Sequence, residues 1–236
     1  MGIFFTARWE ARRVPGVKVA PLPLMDYSVS NAPGTPLSYF GYAFEVPWYA
    51  NFKQKVFGKS GIVQLEFESG QNVTLFAADN QRGLLSDIVQ DKSMHMENMQ
   101  LILGDLTNRS PYDQYAALLS TTPHSIRAFG PRAEGIRGVT LLTIKAIAFP
   151  PAMETGVFSF ELPDKHGFQI GDPRKSRRVN LELFGMGGHQ VEIVCAATKD
   201  NISLSQPELN RILASFHAVL SEPAASPPAH LTGMRN

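Results

Sequence analysis

Two stretches of the chain alternate apolar and polar residues on either side of a glycine-bearing turn, and they constrain the fold more than any other feature. In the first, Ile62–Glu68 and Asn72–Ala77 flank Ser69-Gly70-Gln71. In the second, Val179–Phe184 and Gln190–Ala197 flank the turn Gly185–Gly188. Strand side chains point to opposite faces in alternation, and short glycine turns join antiparallel neighbours. A chain with two such hairpins must build an antiparallel sheet. Two short motifs also repeat at one offset. Phe44-Glu45-Val46-Pro47 returns as Phe160-Glu161-Leu162-Pro163 (160 − 44 = 116), and Val63-Gln64-Leu65-Glu66 returns as Val179-Asn180-Leu181-Glu182 (179 − 63 = 116). Each half reads as strand, proline, loop, hairpin, Ala-Ala and helix. The echo fits an internal duplication, and it fits two like hairpins of one sheet that converged.

Further strands are expected at Tyr39–Val46, where Phe40, Tyr42, Phe44 and Val46 alternate with other residues until Pro47, and at Val157–Leu162. Arg137–Phe149 is apolar on both faces, which predicts a long central strand. Three helices are expected. Leu84–Leu103 has an imperfect apolar period, broken near Asp91–Ser93. Ser110-Pro111-Tyr112-Asp113 opens a second, with serine at the N-cap, proline in the first turn and aspartate at the third position. Ser205-Gln206-Pro207-Glu208 is a capping box before the stripe Leu209, Ile212, Leu213, Phe216 and Leu220. The fold class is therefore α+β: a largely antiparallel sheet covered by helices. Pro15, Pro21, Pro23, Pro33 and Pro36 make residues 1–37 an extended lead-in, and Pro223, Pro227 and Pro228 mark 222–236 as a disordered tail. Residues 38–221 form one domain.

The charge balance narrows the partners. Across 236 residues, 22 basic and 21 acidic groups leave a net charge of +1, so no global field draws the chain to nucleic acid or an acidic membrane. No apolar run approaches the ~20 residues that span a bilayer. The opening Met1-Gly2-Ile3-Phe4-Phe5-Thr6, followed by Arg8, Arg12 and Arg13, reads as the stub of a longer apolar segment. It implies a membrane tether upstream of residue 1, with a periplasmic or anchored location; a chain that natively starts at Met1 would be cytoplasmic. Met-Gly-x-x-x-Thr also matches the short myristoylation pattern. The single cysteine, Cys195, lies in the apolar run Val191–Ala197 and is expected to pack as a small buried hydrophobe.

No motif specifies a reaction. Gly58-Lys59-Ser60 lacks the first glycine of a phosphate loop, because Lys53 stands there. Gly185–Gly188 joins two strands instead of opening a helix, so it is no dinucleotide fingerprint. Met94-His95-Met96-Glu97-Asn98-Met99 has ligands suited to Cu(I), but helical spacing points Met94 and Met96 apart by about 200°. The six histidines show no metal spacing, and no cofactor is expected. Glu45, Glu161, Glu66 and Glu182 match in pairs across the two halves; on alternating strands they are expected to face solvent. The residues best suited to bind an anionic ligand are the basic run Arg174, Lys175, Arg177 and Arg178, with His189 after the glycine turn. The competing reading is a solvated loop leading into a strand.

The strand end Tyr42-Ala43-Phe44-Glu45-Val46-Pro47-Trp48, the paired strands 62–77, the late hairpin 177–197 and the closing helix Glu208–Phe216 resemble the PsbP/Mog1-like α/β/α sandwich superfamily. The resemblance covers residues 38–220 in pattern more than in identity, and the chain lacks the lipobox cysteine of the lipoprotein members. It implies a non-enzymatic accessory protein, since members include photosystem assembly and extrinsic subunits and a partner of a Ran-type GTPase. No functional residue carries over. A protein partner is the expectation, against the alternative of a small-molecule binder or hydrolase with a cleft between sheet and helices, using Arg177, Arg178 or His189.

Overall fold

A computed structural model describes residues 19–22, 34–48, 51–77, 102–122, 133–149, 151–186 and 189–219. In chain order, the first strands are β1 (Val19–Pro21), β2 (Thr35–Tyr39), β3 (Tyr42–Val46), β4 (Phe52–Phe57), β5 (Ile62–Phe67) and β6 (Gln71–Phe76). Helices α1 (Pro111–Ser120) and α2 (Ala133–Ala148) follow, then β7 (Val157–Glu161), β8 (His166–Ile170), β9 (Arg178–Met186) and β10 (His189–Ala197). Helix α3 (Gln206–Ser215) and the short β11 (His217–Ala218) complete the described elements. The architecture is α+β. Eight strands pair in the spatial order β1-β7-β8-β9-β10-β6-β5-β4, and a second sheet pairs β11-β3-β2. Every described pair is antiparallel except β1 with β7, so the large sheet is mixed but mostly antiparallel.

Both hairpins form where the alternation places them. At the first turn Gly70 adopts φ +96°, a left-handed conformation that favours glycine. A Cβ there would also sit 3.0 Å from Ile202 and Lys199 side-chain carbons. Gly70→Ala is therefore expected to cost about 1 kcal/mol, read as a lower urea midpoint at unchanged slope. The helix starts hold as well. Ser110 Oγ accepts from the Asp113 N–H at 3.1 Å, and the Ser205 N–H donates to Glu208 Oε2 at 2.8 Å.

Two expectations are corrected. Arg137–Phe149 is not a strand; most of it belongs to α2. Its buried positions Gly138, Leu141, Leu142, Lys145 and Phe149 recur at three- and four-residue steps, the signature of one helix face. The β-branched Val139, Thr140, Thr143 and Ile144 imitate a strand, but a run this long exceeds ordinary strands and belongs to a helix. Tyr39–Val46 is not one strand either. Phe40 at φ +53° and Gly41 at φ +81° make a two-residue hairpin turn that folds β2 back onto β3. The lead-in is partly structured, since Val19–Pro21 pairs parallel to β7 and Leu22 is buried in the core. The helix expected at Leu84–Leu103 is described only at its last two residues, and the Met94–Met99 cluster and the tail 222–236 lie outside the described residues.

The core occupies both faces of the large sheet. On one face Val63, Leu65, Val73, Leu181, Ile193 and Cys195 pack with Phe44 and Val46 of β3 and with Leu209, Ile212 and Phe216. Phe216 stacks on Tyr42 at 5.3 Å between ring centroids and meets Phe44 at 5.5 Å. The Trp48 indole donates to Glu208 Oε1 at 2.8 Å, so the Phe-Glu-Val-Pro-Trp segment anchors α3. On the other face Leu118, Leu119, Leu141 and Ile144 pack with Val157, Phe168, Ile170 and Phe184. β6 pairs with β10 near the middle of the sheet, and β7 pairs with β8, whereas β3 leaves the large sheet for β2 and β11.

Candidate functional site

The face of β9 and β10 that meets α1 carries polar residues where a core would be apolar. Along β9 the alternation places Arg178, Asn180, Glu182 and Phe184 on this face; along β10 it places Gln190, Glu192 and Val194 there. Glu182 and Glu192 are direct cross-strand partners, so two carboxylates share one small volume. Glu182 is only 4% exposed. Burial first, and the Glu192 charge second, hold its carboxyl well above the ordinary carboxylate range.

Each carboxylate has its own hydrogen-bond partners. Gln190 Nε2 donates to Glu182 Oε2 at 3.2 Å and to the Tyr115 hydroxyl at 2.8 Å. That hydroxyl, from α1, is itself hydrogen-bonded to Glu182. Asn180 Nδ2 donates to Glu192 Oε1, and Arg178 Nε donates to Asn180 Oδ1 at 3.1 Å. Burial raises the Glu192 carboxyl as well, while the Asn180 bond and the nearby Arg178 charge oppose that rise. The amide and guanidinium therefore favour charge on Glu192, while burial and that neighbouring charge disfavour it on Glu182. Glu182 is too enclosed to meet a substrate.

A second buried charge lies in α2. Lys145 is fully buried, and its ammonium donates to the Leu119 and Thr121 carbonyls at 2.7 and 2.8 Å. These are acceptors left open at the C-terminal end of α1, where a cation is also favoured by the helix dipole. Burial lowers the Lys145 pKa to about 8. Cys195 behaves as expected: it is buried, and burial pushes its thiol up to about 12.

The structure separates the residues expected to bind a ligand. Arg174 forks onto the buried Asp172, with Nε 3.0 Å from Oδ1 and a terminal nitrogen 2.9 Å from Oδ2. Lys175 approaches the same carboxylate at 4.0 Å. Arg177 pairs with Asp200 at 2.5 Å. Arg178 starts β9 and points its guanidinium to the Asn180–Glu192 chain. His189 is opposite Met186 at the far end of the hairpin, roughly 26 Å from Arg178 at the usual strand rise. The run is thus a set of local ion pairs flanking the polar face. A shallow depression of about 340 Å³ lies elsewhere, between Phe52, Lys53, Glu66, Gln71 and Lys199. Among the described residues no three His, Cys, Asp or Glu side chains gather as a metal site, and no helix is long and apolar enough to cross a membrane.

Of the four glutamates matched across the halves, Glu66 and Glu161 are exposed as expected. Glu45 is half-buried and paired with Arg211 at 2.6 Å, and Glu182 is enclosed. The alternation in Val179–Phe184 correctly marks two faces, but a polar face reads as solvent unless the element lying over it is known. The available signal was that Asn180, Glu182, Gln190 and Glu192 all fall on one side of a hairpin at the centre of the sheet. Compared with protein families, with curated proteins and with solved structures, the chain gives no match.

Proposed function

We propose that this chain is a non-enzymatic binding or assembly protein, built on a PsbP/Mog1-like sandwich whose helices cover the sheet and acting through a protein partner. The observation that carries the reading is a contrast in accessibility. The groups whose proton affinities shift most, Glu182, Lys145 and Cys195, are all buried, and two of the basic-run arginines are spent on Asp172 and Asp200. Among the described residues β4, the last strand of the large sheet, is exposed at every position but its first. A protein that turns over a small substrate needs convergent polar groups in a reachable pocket. One that recognises a partner needs accessible surface, and β4 supplies it.

In-cell crosslinking followed by purification and mass spectrometry tests this reading. One protein should crosslink reproducibly and in near-stoichiometric yield. Turnover of any compound in a broad substrate panel, lost in a folded Glu182→Gln variant, would overturn it.

A further inference from the structure

Strand β4 ends the large sheet, and the chain's own hydrogen bonds show which of its backbone groups are unused. The Glu68 N–H donates to the Asn51 carbonyl at 3.2 Å, which sets the phase of the β4–β5 ladder. Bonded pairs alternate in an antiparallel ladder, so Lys53–Glu66, Lys55–Gln64 and Phe57–Ile62 are the inward-bonded pairs. The Ala77 N–H bond to the Gly61 carbonyl confirms the phase, because it turns odd-numbered β5 residues toward β6 and even-numbered ones toward β4. The N–H and C=O groups of Phe52, Gln54 and Val56 therefore point away from the sheet. Among the described residues nothing pairs with them.

Edge strands are commonly blunted by a bulge, a proline or lysines. Here the register with β5 runs through six pairs without interruption, and β4 contains no proline. Lys53 and Lys55 are present, and beside them Val56 and Phe57 stay 48% and 39% exposed. The two lysines lie with Phe57 on one face, and Phe52, Gln54 and Val56 lie on the other. Lys53 (opposite Glu66), Lys55 and the following Lys59 form none of the ion pairs among the described residues, and Lys55 Nζ lies 5.0 Å from the Phe57 ring centre.

We infer that β4 is a docking edge for an extended acidic segment of a partner protein, which adds as a ninth strand. Deepening the binding-protein reading and resting on it, this assigns the partner a chemistry. Its backbone pairs with Phe52, Gln54 and Val56, its acidic side chains alternate on the Lys53 and Lys55 face, and its apolar side chains lie on the Phe52 and Val56 face. Main-chain bonds supply affinity in such strand addition, and alternate side chains supply selection. A second copy of this chain is disfavoured, because same-face pairing of two β4 strands gathers four lysines on one side.

The test is a fluorescent hexapeptide alternating glutamate and valine, titrated into the whole protein at about 0.05 M and about 0.3 M ionic strength, beside a lysine–valine control. The acidic peptide should bind saturably, more weakly at high salt, and slow the amide exchange of Phe52, Gln54 and Val56. Gln54→Pro removes an outward donor, and Lys53→Glu with Lys55→Glu reverses the charge; each should weaken binding at least about tenfold with the melting curve retained. Equal binding of both peptides, unchanged exchange at the three amides, or their protection by self-association without peptide would overturn the docking edge. A crosslinked partner that leaves β4 untouched would also remove the edge, while the binding-protein reading would stand.

Discussion

Lys145→Ala should lower the unfolding free energy by about 3 kcal/mol at neutral pH. Three effects compete. Losing a fully buried four-methylene chain costs about 3 kcal/mol in transfer and cavity terms. The Leu119 and Thr121 carbonyls lose their donor, at about 1–2 kcal/mol each. Against this, the folded state no longer holds an ammonium whose pKa burial has pulled from 10.5 to about 8, which returns about 3 kcal/mol. Chemical denaturation of the two proteins at matched pH measures the difference. Lys145→Met separates the contributions, because it refills the volume without a charge or a donor. Since the folded pKa lies below the unfolded one, the wild type should gain stability as pH rises from about 8 to about 10.5, and Lys145→Met should lack that rise. An unchanged alkaline profile in the methionine variant would mean that Lys145 is not the buried cation.

Glu182→Gln should raise stability at pH 8 and change it little near pH 4, so that the gain over the wild type grows as pH rises. The sign follows from a carboxyl whose folded pKa lies above its unfolded one. Its favourable contribution is complete below the unfolded value, 4.5, and is lost as pH climbs through the folded value. The wild type therefore carries the cost of charging Glu182 at alkaline pH, beside Glu192 and out of water. Glutamine keeps an acceptor for Gln190 and adds a donor toward Glu192, so the hydrogen-bond chain survives without the repulsion. Thermal melts from pH 4 to pH 9 give the test. Equal destabilisation at all pH values would show a packing role only.

What reading the chain could and could not supply divides along the range of the interactions. The 62–77 hairpin was legible because a glycine at positive φ and an alternating pattern act within a few residues. So were the starts of α1 and α3, where Ser110 and Glu208 satisfy nearby backbone groups. β4 and β8 were not, because Lys53, Lys55 and Gly167 dilute the strand signal that the register with β5 and β9 supplies. α2 was misread for the converse reason: Val139, Thr140 and Ile144 favour strands intrinsically, and packing on Phe168 and Phe184 overrides that preference.

The candidate site lies at the far end of the same scale. Residue types and alternation specify that β9 and β10 each have a polar side and an apolar side. Whether a polar side meets water or a second element depends on a contact such as Tyr115 with Gln190, 75 residues apart. The basic run shows the same limit. Its charge is plain in the chain, but Asp172 and Asp200 become its partners only once the turns are folded. Local hydrogen bonding and periodicity thus settle the two central hairpins and the starts of α1 and α3. Burial, and with it the raised Glu182 carboxyl and the lowered Lys145 pKa, arises only when distant segments exclude water together, because desolvation belongs to the assembled surface and to no residue within it.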